Sequence, residues 1–215
     1  MRTMTRHPVS TRSDRKPVRR HIRAGIVLAL FCIAMTACGT VENRRPKGTT
    51  KPLPAAQARL FFNLPALSAA TVDYRRYTSA DGRFVEEFGT WTAGADGSTA
   101  GLLISEAVGA APLLDAESLE KTVDLWSELR DKNPGFGPPK QVSTATGTTT
   151  WRRASIGTRI CVVFLQRFET ASGGGTGTRA VLTGYFCNAI GATLDPDTAE
   201  AAVKAAGLRG PAPPQ

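Results

Sequence analysis

The chain has 215 residues, with 27 basic against 18 acidic side chains and a formal net charge of +9. So basic a chain suggests nucleic-acid binding, but eight of the basic residues, with only Asp14 against them, fall in the first 23 positions. From Cys38 onward 19 basic residues face 17 acidic ones, so the bulk of the chain is near neutral and a nucleic-acid partner is excluded on charge. Both histidines, His7 and His21, also lie in the basic start. The remainder therefore has no imidazole for a Ser-His-Asp triad, a Cys-His pair or a His-ligated metal.

The basic start runs through Arg2, Arg6, Arg12, Arg15, Lys16, Arg19, Arg20 and Arg23. An uncharged stretch of 14 residues follows, from Ala24 to Ala37. As a helix it would reach about 21 Å, against about 30 Å of bilayer hydrocarbon. That is short for a transmembrane helix and right for the apolar region of a signal peptide. The stretch ends in Met35-Thr36-Ala37-Cys38-Gly39. This junction resembles the lipobox of bacterial lipoproteins, where small residues precede an acylated cysteine. The resemblance covers residues 1–39. It implies a signal peptide at 1–37, cleavage before Cys38, and a diacylglyceryl group on the Cys38 thiol. Two or three acyl chains hold a protein on a membrane without a spanning helix, since each buried methylene contributes about 0.8 kcal/mol. Gly39, rather than Asp, follows the cysteine. In the enteric sorting rule of this class that implies the outer membrane, facing the periplasm.

Residues 38–57 read as the lipidated cysteine and a flexible tether. Pro46, Pro52 and Pro54 mix with Gly, Thr and basic residues, and no apolar period is present. Residues 58–210 suit a single domain, and Pro211, Pro213 and Pro214 mark 211–215 as a disordered tail.

Within the domain the apolar run 58–63 predicts a first strand. Asp81-Gly82 between strand-like runs at 72–80 and 83–93 predicts a hairpin with positive φ at both turn residues. That register sets Arg76 opposite Glu87. Asp96-Gly97 predicts a second turn, pairing Trp91 with Leu102 and completing a three-strand meander. Leu119, Val123, Trp126 and Leu129 follow the spacing of one helical stripe. Asp115 is its cap, Leu114 its staple, and Pro134-Gly135 its stop. Further strands are predicted at 140–146, 149–155, 158–168 and 179–188. A last helix is capped by Asp195, has Pro196 in its first turn, and ends at Gly207. The expected fold is α+β: a mostly antiparallel sheet of meander and hairpins packed against one or two helices.

Cys161 and Cys187 lie in two of these strands, equidistant from Gly174 in a glycine-rich loop. A symmetric hairpin sets them directly opposite, within disulfide reach. Export to an oxidising compartment suits that bond.

Candidate chemistry is sparse. Glu86 and Glu87 are adjacent on a strand and so point to opposite faces, which denies them a shared dyad. Asp195, Asp197 and Glu200 suggest calcium, but acidic residues at a helix start complement its dipole. The loop 173–177 lacks the Gly-Lys-Ser/Thr ending of a phosphate-binding loop. Two aromatic-basic clusters remain, Tyr74-Arg75-Arg76-Tyr77 and Trp151-Arg152-Arg153. Tyr74 and Arg76 share one strand face, as do Trp151 and Arg153, and these four form the candidate binding surface.

The expected function is that of a non-catalytic envelope lipoprotein, an accessory or scaffold binding another envelope component, foremost a protein. The alternatives are a carrier of a small amphiphile held between sheet and helix beside Leu102, Leu103 and Ile104, and a peptidoglycan hydrolase working with carboxylates alone. No cofactor or metal is called for.

Overall fold

The computed structural model describes residues 47–95, 97–108, 118–169 and 178–210. The leader with Cys38, the cap at Leu114–Asp115, Asp96, the glycine loop 173–177 and the tail 211–215 lie outside these described residues.

Strands dominate, as expected of a sequence with repeated turn signals between β-branched runs. They are β1 (Gly48–Pro52), β2 (Leu60–Phe62), β3 (Thr71–Ser79), β4 (Phe84–Thr92), β5 (Thr99–Ala107), β6 (Gly135–Phe136), β7 (Lys140–Thr144), β8 (Gly147–Ile156), β9 (Arg159–Glu169), β10 (Thr178–Cys187) and β11 (Ala206–Leu208). One α-helix, α1 (Pro196–Ala205), is present among the described residues. Nine of the strands form one antiparallel sheet in the order β1-β3-β4-β5-β10-β9-β8-β6, with β7 also on β8. β2 and β11 form a separate two-stranded ribbon.

Both faces of the sheet are buried along its centre, which explains unbroken apolar runs such as Leu102-Leu103-Ile104. Leu102 and Ile104 point to the first face, with Tyr74, Trp91, Trp151, Phe164 and Phe186. The β2–β11 ribbon and α1 cover this face, α1 through Ala199, Ala202 and Val203. Leu103 points to the second face, with Val163, Leu165, Val181 and Tyr185. The segment from Leu119 to Leu129 covers that one. The apolar run proposed to hold an amphiphile is thus divided between two packed cores.

The Asp81-Gly82 hairpin has the expected register, with Arg76 opposite Glu87. Only Gly82 takes positive φ, at 70°. Asp81 instead accepts hydrogen bonds from the Ser79 hydroxyl at 2.6 Å and the Arg83 amide at 3.1 Å. These bonds, the Ser79 hydroxyl foremost, hold the Asp81 carboxyl below its ordinary pKa. At the second turn the register differs by two residues. Trp91 pairs with Ala100 rather than Leu102, because the turn closes through Ala93 and Ser98. A slip of two preserves the faces, so Trp91 stays over the core it was expected to join.

Three expectations are corrected. Gly48–Pro52, assigned to the tether, is the edge strand β1 paired to β3. All five of its residues are exposed, so it carries no apolar alternation to read. The helix expected around 119–129 is a short 3₁₀ turn at Lys121–Leu125. Its four stripe residues are buried as the spacing implied. However, the backbone at Trp126 is extended, at φ −107° and ψ 115°. There the Trp126 ring meets Tyr185 edge-on at 5.0 Å. A Cβ on Gly101 would lie 2.5 Å from the Tyr185 ring and 2.6 Å from the Trp126 ring. Packing of that indole onto bare backbone overrides the local helical period. Finally, the last helix does not end in a glycine cap. It passes directly into β11 at Ala206, where pairing to β2 satisfies the backbone. Its start is as expected, with Asp195 accepting from the Asp197 and Thr198 amides at 3.0 and 2.9 Å.

Candidate functional site

The disulfide is present. Cys161 and Cys187 are directly opposed on β9 and β10, with a Cα separation of 4.0 Å. Both are fully buried in the second core. The bond ties the two central strands together at their far end from the loop.

The four residues expected to form a binding surface do not form one. Tyr74 is buried, stands edge-on to Trp91 at 5.6 Å, and donates to the Leu60 carbonyl at 3.2 Å. Burial raises its phenol pKa. Trp151 is 1% exposed and lies in the first core beneath Lys140, whose ammonium is 5.2 Å from the ring centre. Arg76 is bound to Glu87, and Arg153 is half-buried. Four strands separate β3 from β8, or about 24 Å at ordinary strand spacing. Tyr74 and Trp151 both join the first core, so the aromatic half of each expected pair is packed rather than exposed. Strand period alone does not tell a solvated face from one covered by distant chain.

A buried charge cluster lies at the edge of the first core. Glu87 is fully buried. Its Oε1 accepts the backbone N–H groups of Arg59 at 2.6 Å and Leu60 at 3.1 Å. Its Oε2 accepts Arg59 Nε at 3.3 Å and Arg76 Nη2 at 3.2 Å. The Arg59 guanidinium forks onto Glu106, with Nη1 at 3.0 Å from Oε1 and Nη2 at 2.5 Å from Oε2. The Glu106 hydrogen bond, foremost, raises the Arg59 pKa. This arrangement sews β2 onto the sheet, and four donors occupy the Glu87 oxygens. Glu86, on the opposite face, accepts the Ser105 hydroxyl at 3.1 Å. Arg59 and Glu106 had no local sequence signal, because their partners are 28 and 47 positions away.

On the second face Thr50, Asp73, Arg75 and Thr92 are exposed, whereas Tyr77 and Glu86 further along the same strands are buried. A cleft of about 660 Å³ lies over the exposed part, walled by Leu125, Trp126, Ser127 and Glu128. Its floor is formed by Thr50, Thr90, Thr92 and Thr99 together with Phe88. Asp73 and Arg75 stand on the β3 part of the floor and pair at 2.8 Å. Both are more than half exposed. Glu128 accepts the Tyr185 hydroxyl. Burial, then the adjacent Glu128 charge, drives the Tyr185 pKa far above its ordinary value. The floor residues recur at every second position, Asp73 and Arg75, then Thr90 and Thr92. That alternation is the signal in the sequence by which this polar strip is recognisable.

No group of carboxylates and cysteines positioned to hold a metal ion occurs among the described residues. Two of the three carboxylates at the last helix have other roles: Asp195 caps it, and Glu200 pairs with Lys204 at 2.8 Å. No protein-family profile, curated protein or solved structure matches this chain.

Proposed function

We propose that this chain is a lipid-anchored envelope protein without a catalytic step, which binds another envelope component through the surface of its sheet. The observation that carries this reading is the joint presence of the Cys38 lipobox and a disulfide-closed β9–β10 hairpin. A disulfide fits an exported chain and not a reducing cytosol, and the lipobox supplies the route and the anchor. The open strip of the second face supplies a surface. The outer membrane is the proposed destination, from Gly39 at the position after the acylated cysteine.

The test is labelling of cells with an alkyne-bearing palmitate, followed by membrane fractionation and in-cell crosslinking of the tagged chain. The wild type should take up label and sediment with outer membranes, and Cys38→Ser should do neither. A reproducible crosslinked envelope component is expected. Unlabelled wild type in the soluble fraction would overturn the anchor, and a membrane-bound chain with no crosslinked component would overturn the binding role.

A further inference from the structure

We infer that the cleft on the second face is a saccharide site that takes a neutral glycan chain across β1, β3 and β4. This deepens the envelope-binding reading and rests on it.

The cleft, about 660 Å³, is a shallow one, broadly open to solvent, the shape that suits an extended chain lying across the strands rather than an engulfed small molecule. It lies on a rigid floor of paired strands rather than on a loop, so its groups are held at fixed spacing.

The floor chemistry selects the ligand. Each threonine hydroxyl both donates and accepts a hydrogen bond, as each sugar hydroxyl requires. Thr92 and Thr99 are directly opposed across β4 and β5. Thr90 stands two residues along β4 from Thr92, about 6.7 Å away by strand rise. Among the described residues the hydroxyls of Thr50, Thr90 and Thr92 make no hydrogen bond to another protein group. They are available to a ligand. Arg75 and Asp73 add a forked donor and a paired acceptor, and the threonine methyls with Phe88 give the apolar C–H face of a pyranose a surface to rest on.

Charge narrows the choice. The ionisable groups lining the cleft are Asp73, Arg75 and Glu128. With Arg75 and Asp73 paired, the formal balance is one negative charge. That disfavours a phosphate, a carboxylate or an acidic polymer, since like charges repel across a desolvated contact. An apolar ligand would strip water from hydroxyls without replacing their hydrogen bonds. A neutral, hydroxyl-rich chain meets neither penalty.

The experiment is calorimetric titration of the full-length chain in detergent with chitotetraose, maltotetraose, an oligogalacturonate and spermidine. At least one neutral oligosaccharide should bind saturably. Arg75→Ala and the pair Thr90→Val with Thr92→Val should each weaken that binding at least ten-fold. Thr148→Val, on an exposed position of β8, should leave it unchanged. Floor positions are solvent-facing, and near-ultraviolet circular dichroism checks that each variant keeps the native fold. Binding of neither neutral oligosaccharide, binding of only the anionic or cationic probe, or binding indifferent to the floor substitutions would each overturn the inference. Those failures leave the anchor and the crosslinking result untouched, so a component held elsewhere on the domain would still support the broader reading.

Discussion

Arg76 and Glu87 face each other across β3 and β4, and their side chains close to 3.2 Å with Glu87 removed from solvent. Glu87 also accepts Arg59 by backbone and side chain, so one carboxylate joins the hairpin to β2. Removing one partner of a buried pair strands the others, at about 3–5 kcal/mol. Glu87→Ala should lose stability in that range by urea denaturation. Glu87→Gln should fall between it and the wild type, because it keeps the shape but removes the counter-charge of Arg59 and Arg76. A loss below about 1 kcal/mol for the alanine variant would mean the cluster is not the clasp described.

The disulfide lies between strands already paired, and both cysteines are 0% exposed. Replacing both by alanine should cost about 2–5 kcal/mol, chiefly by freeing the unfolded chain. Reductant should act on the wild type only as it unfolds, because no thiolate can reach the buried sulfurs. Thiol trapping in graded denaturant checks this. Rapid reduction of the native protein would show that the β9–β10 end opens locally.

Gly101 is the point where Trp126 and Tyr185 rest on bare backbone. A methyl there must displace two buried rings or the strand itself. Gly101→Ala should destabilise by about 1–3 kcal/mol through overpacking. The displaced indole should also appear as a change in tryptophan fluorescence, and an unaltered spectrum with unaltered stability would refute the packing described.

Tyr185 links stability to alkaline pH. In the folded state burial and the adjacent Glu128 charge raise its pKa well above the ordinary value. In the unfolded chain it releases its proton near pH 10. Its contribution is therefore complete below about pH 10 and is lost as pH rises beyond it, at roughly 1.4 kcal/mol per pH unit. Between about pH 10 and 11.5 stability should fall more steeply in the wild type than in Tyr185→Phe, by roughly 1.4 kcal/mol per pH unit. Tyr74, also raised by burial, contributes equally to both proteins and cancels. Identical slopes would remove Tyr185 from the account.

Local chemistry was enough to place several features. Asp81-Gly82 set the hairpin and the Arg76–Glu87 pairing, Asp195 with Pro196 set the start of α1, and the symmetry of Cys161 and Cys187 about Gly174 matched the disulfide. Each depends on groups near in sequence or on a strand register fixed by one turn. Period two assigns Tyr74 and Trp151 a face but not its cover, and the cover here comes from β2, β11 and α1. The spacing of Leu119, Val123, Trp126 and Leu129 marks them as buried but does not distinguish a helix from 3₁₀ and extended backbone, which depends on Gly101 and Tyr185 beneath them. β1 was hidden by its full exposure, and Arg59 and Glu106 by their distance from Glu87. Charge distribution and the disulfide partners were thus determined by the sequence itself. Which polar strip stays open, and which aromatic residues become core, was decided only by tertiary packing, because burial depends on what distant segments bring to each face.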